Sequence, residues 1–235
     1  MSGRVRRPLF LLAASFVTLT SAGAVSATSR AAAVKPTQAL VTLLGRHEAH
    51  SKPTARSPSL GLVPVRTPLT AVRTVLPVLA YAGHWLKVRL PGRPNGHTGW
   101  ISRRATSMSA TGWHLVVDLA RREVRVYRAG RMVRVFSAVV GKPSTPTPRG
   151  EFFVEESIAL KATDVGAPFA LALSARSDVF QEFDGGPGQI ALHGLMNVGG
   201  VLGTAVSHGC VRLGNNMMRW LVTRIGTGAP VTITG

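Results

Sequence analysis

The chain contains a single cysteine, Cys210, among its 235 residues. One cysteine cannot form a disulfide within its own chain, so a protein of this length must be stabilised by a packed apolar core. The composition allows such a core, because 45% of the residues are hydrophobic. The lone thiol is then either a small buried apolar group or a reactive one, and its neighbours in the sequence distinguish these roles.

The first residues have the pattern of a secretory leader. Arg4, Arg6 and Arg7 precede an apolar run at 9–19 that ends in small residues. This pattern predicts a signal peptide over 1–27, since the run is too short for a comfortable membrane span. The protein is therefore expected to be secreted, into the cell wall or a periplasm-like space of a bacterium. The alternative is an uncleaved leader that tethers the protein to the membrane.

The chain is strongly basic, with a formal net charge of +18 that becomes +15 once the three leader arginines are removed. This charge predicts an anionic partner, and for an exported protein such partners are wall polymers and lipid headgroups rather than nucleic acid. The basic residues are scattered instead of lying on one periodic face. An equally good interpretation is that they only keep a β-rich surface soluble.

Two stretches precede the region that carries the cysteine. Residues 28–59 are rich in Ala, Ser, Thr and Pro without sustained periodicity, which predicts a linker. His47 and His50 lie in it with only Glu48 beside them, so we interpret them as solvated and predict no metal site. Residues 60–108 contain short alternating segments separated by Pro and Gly, which predict small antiparallel strands.

Part of the 60–108 region resembles the end of a bacterial SH3-like barrel. The segments at 83–89 and 99–101 carry this resemblance. It implies a module that binds wall peptide or glycan. The alternative is a structural β subdomain in which Trp85 and Trp100 belong to the core.

Residues 113–140 have the pattern of a β meander. Val124 and Val126 alternate with Arg125, which predicts a sheet with one buried face and one solvated face. A Pro-rich loop follows at 141–150 and is predicted to lie on the surface.

The remaining sequence predicts two further strands, at 151–154 and 231–233, and one short helix. Asn215 or Asn216 is predicted to cap this helix, whose apolar spacing continues to Gly226. The region is therefore mainly β, with its helix directly after the cysteine.

Cys210 lies in the sequence Ser-His-Gly-Cys-Val-Arg at 207–212, and a His-Gly pair at 193–194 lies 17 residues before it. An imidazole near a thiol favours the thiolate, and glycines let backbone N–H groups approach a developing oxyanion. The pattern predicts a nucleophilic cysteine that carries out acyl transfer.

These segments resemble the active-site signature of the L,D-transpeptidase (YkuD-like) family. The sequences Ile-Ala-Leu-His-Gly at 190–194 and Ser-His-Gly-Cys-Val-Arg-Leu at 207–213 carry the resemblance. Thr-Pro-Arg-Gly-Glu-Phe at 147–152 matches a family loop and strand, and 226–233 matches the closing strand. The resemblance extends over about 113–234.

The resemblance implies a fold and a reaction. The fold is mainly β, with a β-sandwich catalytic domain at 112–235, one short helix after the nucleophile, and the SH3-like barrel before it. The cysteine attacks the bond between the third residue and the terminal D-alanine of a peptidoglycan tetrapeptide stem. An amine of a neighbouring stem then takes the acyl group from the thioester. No ATP, metal or other cofactor is implied.

The family match also assigns roles to single residues. Cys210 is the nucleophile, and His193 is the general base, oriented by the backbone carbonyl of Gly194. His208 is the rival base, but residues two apart in an extended segment point to opposite faces. His208 and Gly209 are instead predicted to shape the pocket and to form the oxyanion hole with the N–H of Cys210.

Further residues are predicted to lie near the substrate. Arg212 would bind its free carboxylate with a planar fork of donors, or else support the loop. Ser207 is predicted to fix the turn beside the substrate. Asn197, with Gly199 and Gly200, is predicted to contact the substrate.

Two alternatives to cross-linking remain open at this point. Hydrolysis of the same bond, an L,D-carboxypeptidase activity, uses the same residues because water can replace the amine. A wall-binding protein with an inactive catalytic domain is the other alternative, and the presence of both His193 and Cys210 argues against it. The sequence does not indicate an oligomeric state.

Overall fold

A computed structural model describes residues 34–183 and 186–235 of the chain. Within these residues, seventeen strands and one helix form two large sheets and a short two-stranded one. The predicted signal peptide at 1–27 lies outside the described residues. In the described part of the chain, no helix is long and apolar enough to cross a membrane.

The first sheet contains seven strands. They are β1 (Gln38–Leu43), β2 (His47–His50), β3 (Ser59–Val63), β4 (Val75–Ala82), β5 (Trp85–Arg89), β6 (Thr98–Ser102) and β7 (Thr106–Thr111). Neighbouring strands pair antiparallel in the order β3-β2-β6-β5-β4-β1-β7. Inward-pointing residues of these strands form an apolar cluster with fully buried members that include Val41, Leu43, Leu76, Leu86 and Ile101.

The linker predicted at 28–59 is wrong for much of its described part. Strands β1 and β2 lie there, and β1 pairs along its length with β7. Val41 and Leu43 point into the core on either side of Thr42. This alternation is too short to stand out among the surrounding Ala, Ser, Thr and Pro, so the strand was not predicted.

The two histidines of this stretch are buried, contrary to the prediction of solvated side chains. Both ring nitrogens of His47 lie 2.8 Å from backbone carbonyl oxygens. His50 packs edge-on against Trp85, with ring centroids 5.5 Å apart. Trp85 and Trp100 are half-buried members of the sheet. The seven-stranded sheet is thus established, whereas its likeness to an SH3-like barrel stays a prediction.

The second sheet contains eight strands, and a two-stranded sheet lies beside it. The eight strands are β8 (Trp113–Asp118), β9 (Glu123–Arg128), β10 (Arg131–Ser137), β12 (Gly150–Ala159), β13 (Phe169–Arg176), β14 (Gln189–His193), β16 (Val211–Arg212) and β17 (Pro230–Thr234). Their order is β10-β9-β8-β17-β12-β13-β14-β16, and β11 (Val140–Gly141) pairs with β15 (Ala205–Ser207). The predicted meander is confirmed as β8, β9 and β10, and the closing strand β17 runs parallel to β8.

Helix α1 (Asn215–Val222) follows β16 and packs against β13. The predicted asparagine cap is wrong, because Gly214 occupies the cap position and no side chain caps the helix. The side-chain oxygen of Asn215 instead accepts a hydrogen bond from the N–H of Leu195 at 2.9 Å. The helix also ends before the predicted Gly226. The Asn215 side chain, which the local sequence pattern assigned to helix capping, therefore makes a tertiary contact instead.

Strand β12 belongs to both hydrophobic cores. Phe152 is fully buried in the core of the second sheet, whereas Phe153 is fully buried in the core of the first. Successive residues of a strand point to opposite faces, so one strand can fill two cores with adjacent side chains. The two cores therefore share a strand that belongs to the second sheet.

A buried carboxylate adds a polar connection between the sheets. Glu156 of β12 is fully buried and accepts hydrogen bonds from the N–H of Leu69 (3.2 Å) and the N–H of Thr70 (2.6 Å). The hydroxyl of Thr70 donates a third, at 2.6 Å. All three donors lie in the loop between β3 and β4. These three donors thus satisfy a carboxylate that burial would otherwise leave unpaired.

We expect Glu156→Gln to lower the free energy of unfolding by about 1–3 kcal/mol, because an amide accepts more weakly and turns an N–H₂ toward these donors. Denaturant unfolding of the full chain measures the change. Glu151→Gln is the matched control, since Glu151 is exposed and accepts from the Thr232 hydroxyl at 3.0 Å. Equal stability of the two variants would contradict the proposed role of the buried carboxylate.

Candidate active site

Cys210 lies in a tight turn that connects β15 to β16. The Ser207 hydroxyl donates a hydrogen bond to the carbonyl oxygen of Cys210 (2.6 Å) and accepts one from the N–H of Gly209 (3.1 Å). Gly209 has a φ of +122°, which residues with side chains rarely adopt. The geometry of the turn therefore depends on both residues.

Two predicted roles concern this turn. Ser207 is fully buried and its hydroxyl is used within the turn, which agrees with its predicted turn-fixing role, whereas a contact with substrate stays a prediction. The N–H of Gly209 donates to this hydroxyl, and its predicted part in an oxyanion hole stays a prediction. Both residues are structural supports of Cys210.

The Pro-rich segment at 141–150 holds the turn in place. The Thr145 hydroxyl donates to the carbonyl oxygen of Ser207 at 3.1 Å, and the Thr147 hydroxyl donates to that of Gly209 at 2.8 Å. Both threonines are buried. The predicted surface loop is therefore also a scaffold, because two of its side chains point inward to the nucleophile turn.

His193 is the last residue of β14, which runs parallel to β16. In the register of these strands His193 pairs with Arg212, two residues after Cys210. Nδ1 of His193 lies 2.8 Å from the carbonyl oxygen of Gly194. A carbonyl only accepts, so Nδ1 carries the proton and Nε2 of the neutral ring keeps a free lone pair.

Two glycines allow the backbone to approach this imidazole closely. Gly194 is buried, and a Cβ at its position would collide with the carbonyl oxygen of Ala167. Gly166 has a φ of +84°, and a Cβ there would collide with Nδ1 of His193. Gly166 also accepts a hydrogen bond from the N–H of Gly194 at 2.7 Å. The imidazole is thus held by backbone atoms on two sides.

Burial sets the protonation of the thiol and the imidazole. Burial raises the pKa of the Cys210 thiol, although a backbone hydrogen bond with Ala191 and the charge of Arg212 oppose this effect. Burial lowers the pKa of His193, against the hydrogen bond to Gly194 and together with the charge of Arg212. At neutral pH the site therefore holds a thiol and a neutral imidazole.

Arg212 is almost completely buried beside the cysteine. Its Nη1 donates to the carbonyl oxygen of Gly199 at 2.6 Å, which is the loop-supporting role that the sequence left open. Its buried Nε has no hydrogen-bond partner among the described residues. Arg212 therefore supports the loop and retains a donor that a further group could satisfy.

Cys210, His193 and Arg212 line one cavity of about 500 Å³. Its apolar lining comes from Val165, Phe180, Phe183, Ile190, Val198 and Val206. His208 lies on the same cavity, stacked on Phe183 at a centroid distance of 6.4 Å and 6.1 Å from Phe180. The second histidine is therefore part of an aromatic wall, which we define as Phe180, Phe183 and His208.

Asn197 is placed differently from its prediction. It does not line the cavity, and its side-chain amide donates to the carbonyl oxygens of Ala162 (2.7 Å) and Asp164 (3.0 Å). The amide donors are thus used to hold a neighbouring loop. Gly199 and Gly200, in contrast, do line the cavity.

Sequence reasoning missed several residues that shape the site. Thr147 opens the Thr-Pro segment that the family resemblance had already picked out, so this motif could have revealed its importance. Phe180 and Phe183 lie in a stretch without any motif. Asn215 was assigned to a helix cap, although it holds the segment that follows His193.

The second half of the chain matches a known family. Residues 112–233 match the YkuD model, which describes the L,D-transpeptidase catalytic domain. The match spans more than half of the chain and contains the whole cavity around Cys210 and His193. The chain therefore belongs to the L,D-transpeptidase YkuD family.

Two curated relatives show how far the similarity extends. The putative L,D-transpeptidase YkuD of Bacillus licheniformis is 31% identical over 125 residues, which cover 52% of this chain and 66% of the relative. L,D-transpeptidase 1 of Mycobacterium tuberculosis is 26% identical over 132 residues, which cover 51% and 49% of the two chains. The chain thus spans about half to two thirds of the length of these curated relatives.

Solved structures are more distant. An L,D-transpeptidase from Mycobacterium smegmatis has a TM-score of 0.43 at 18% identity, covering 83% of this chain and 99% of that chain. L,D-transpeptidase 3 from Mycobacterium tuberculosis, in complex with a faropenem-derived adduct, has a TM-score of 0.44 at 14% identity. This second similarity covers 69% of this chain and 91% of that chain.

We expect Gly166→Ala to slow the alkylation of Cys210 by iodoacetamide about 10-fold or more at neutral pH, because the new Cβ displaces the His193 imidazole that is predicted to act as general base. Mass spectrometry of the modified protein measures the rate. Gly203→Ala is the matched control, since its φ of +87° imposes similar backbone strain while a Cβ there meets no atom within 4 Å. If Cys210 in Gly203→Ala is alkylated as slowly as in Gly166→Ala, backbone strain alone explains the effect.

The lowered pKa of His193 predicts the pH dependence of the same alkylation. As the pH falls, the rate should decline only when His193 becomes protonated, so the midpoint should lie below about 6.5, the ordinary histidine value. His193→Gln should remove this acid limb. An acid limb that persists in His193→Gln would contradict the assignment of its midpoint to His193.

Proposed function

We propose that this protein is a peptidoglycan L,D-transpeptidase that joins the third residues of two stem peptides through an acyl-enzyme on Cys210. The observation that carries the proposal is the shared cavity of Cys210 and His193, with Nδ1 of His193 bound to the Gly194 carbonyl. Family membership supports it, since the family acts on peptidoglycan stem peptides.

The first half of the reaction cleaves an amide. Nε2 of His193 takes the proton of the Cys210 thiol as Sγ attacks the carbonyl carbon of the third stem residue. The oxyanion that forms accepts a hydrogen bond from the backbone N–H of Cys210. The C–N bond to the terminal D-alanine then breaks, and the leaving amine takes the proton from His193. A thioester remains on Cys210.

The second half of the reaction forms the cross-link. The side-chain amine of a neighbouring stem attacks the thioester carbonyl and gives a proton to Nε2 of His193. The C–S bond breaks, and the proton returns to Sγ. The thioester retains the energy of the cleaved amide, so the transfer consumes no external energy source. The Gly194 carbonyl replaces the acid of a Ser-His-Asp triad, because one acceptor is enough to orient the ring.

Arg212 is proposed to bind an anionic group of the substrate. Its Nε is buried and unpaired among the described residues, and a carboxylate is the acceptor that a guanidinium binds best. The Arg212 side chain lines the cavity of Cys210. The free carboxylate of the stem would therefore be held near the nucleophile.

The proposed place of action is outside the cytoplasm, where peptidoglycan lies. We also propose an anionic wall polymer as a partner, because exposed arginines gather around two tryptophans of the second sheet and the helix. Arg134 and Arg224 lie over the ring of Trp220 at 4.7 and 4.5 Å, and Arg128 lies over Trp113 at 5.2 Å. Their outer N–H groups can still bind phosphate.

The alternative reaction is hydrolysis by water, an L,D-carboxypeptidase activity. The open, partly apolar cavity can admit either water or an amine as the acceptor. The reaction products therefore distinguish hydrolysis from cross-linking. We expect purified protein incubated with tetrapeptide stems to release D-alanine and to form a stem dimer that mass spectrometry detects. Free tripeptide as the only product would contradict cross-linking and identify a carboxypeptidase.

Matched variants test the roles of the residues in this assay. Cys210→Ala should form no product and no carbapenem adduct, and His193→Gln should lose about 10²- to 10⁴-fold in rate because the general base is gone. His208→Gln should lose less, since His208 belongs to the aromatic wall. Full acylation of His193→Gln would refute its role. Failure of the wild-type protein to form a carbapenem adduct would favour an inactive wall-binding protein.

A further inference from the structure

Arg93 lies in the loop between β5 and β6, in the first sheet. Its guanidinium donates hydrogen bonds to the backbone carbonyl oxygens of Ser177 (2.8 Å), Phe180 (2.9 Å) and Pro187 (2.9 Å). All three acceptors lie between β13 and β14, in the loop at 177–188 of the second sheet. One side chain from the first sheet therefore ties together both arms of a loop in the second.

Asn95 strengthens this attachment. Its side-chain amide donates to the carbonyl oxygen of Arg176 at 2.7 Å, and its side-chain oxygen accepts from the N–H of Arg176 at 2.8 Å. The N–H of Gly92 donates to the carbonyl oxygen of Ser174 at 3.2 Å. The β5–β6 loop thus forms hydrogen bonds with the last residues of β13, directly before the 177–188 loop begins.

The tethered loop carries most of the aromatic wall. Phe180 and Phe183 belong to it, and both line the cavity of Cys210 and lie against His208. The backbone of Phe180 is held on both sides, since its N–H donates to the Ser177 hydroxyl at 3.0 Å and its carbonyl accepts from Arg93. The position of this ring in the cavity therefore depends on a contact made by the other sheet.

We propose that Arg93 is a positioning residue that shapes the substrate cavity from the first sheet by holding the 177–188 loop. Three carbonyl dipoles converge on its guanidinium, and without this cation they would repel one another and turn toward water. A lysine would not replace it, because its ammonium lacks the planar fork that spans separate acceptors. The first sheet then acts in the reaction through substrate fit, and this inference rests on the proposed acyl-enzyme function.

The test compares a large and a small reagent for Cys210 in the full chain. For Arg93→Ala we expect acylation by a carbapenem to slow about 10- to 100-fold, because a displaced wall misaligns the bound reagent. Alkylation by iodoacetamide should stay near the wild-type rate, since Cys210 and His193 do not contact Arg93. Arg93→Lys should recover only part of the acylation rate.

Arg66→Ala is the matched control. Arg66 is also an arginine of the first sheet's loops and donates to a backbone carbonyl, that of Ala71, at 2.7 Å. This acceptor is distant in sequence from the 177–188 loop, so the acylation rate of Arg66→Ala should equal that of the wild type. Wild-type acylation by Arg93→Ala, or a parallel loss of acylation and alkylation, would overturn the positioning role.

Hydrogen exchange separates this inference from the proposed reaction. In Arg93→Ala the amides of 177–183 should exchange faster than in the wild type, and in Arg66→Ala they should not. This result is expected even for a wild-type protein that a carbapenem does not acylate, in which case only the proposed reaction fails. Unchanged exchange in Arg93→Ala would overturn the tether itself.

Discussion

The two adjacent phenylalanines of β12 are the constraint on which the rest of the structure depends. Phe152 fills one core and Phe153 the other, so the two cores share a strand of the second sheet, and both faces of that strand are buried. The next residues continue this division. Glu156 binds the β3–β4 loop of the first sheet, whereas Glu155 accepts hydrogen bonds from Arg176 (3.1 Å) and Gln189 (2.8 Å) beside the cavity. The strand therefore fixes how the loops of the first sheet meet the active site.

The site itself is organised by backbone atoms more than by charged side chains. The Gly194 carbonyl orients His193, and the Ser207 and Thr147 hydroxyls bind the backbone of the nucleophile turn. Such groups provide direction without bringing a carboxylate next to the partly buried thiol, where a further charge would be costly. This explains why a neutral thiol and a neutral imidazole can coexist in one cavity.

Local sequence patterns were sufficient to predict the structure where a residue's neighbours in sequence are also its neighbours in space. The β8–β10 meander and the nucleophile turn are of this kind. Patterns were insufficient where a side chain serves a distant segment: Asn215 binds Leu195 instead of capping its helix, and Asn197 binds the loop at 162–164 instead of a substrate. The β1 strand was missed because its short alternation becomes stable only through pairing with β4 and β7, more than 30 residues away. Strand β2 pairs with the nearby β3 and, through His50, with the distant β6.

The sequence by itself determined the family, because two histidine–glycine pairs, at 193–194 and 208–209, precede a lone cysteine in a pattern that matches one family. Only the tertiary structure decided which atoms surround that cysteine. The aromatic wall and the Arg93 tether join segments that are separated by tens of residues, and no local sequence pattern predicts such contacts. Packing of two cores around one strand brings these segments together, and packing depends on the whole chain at once.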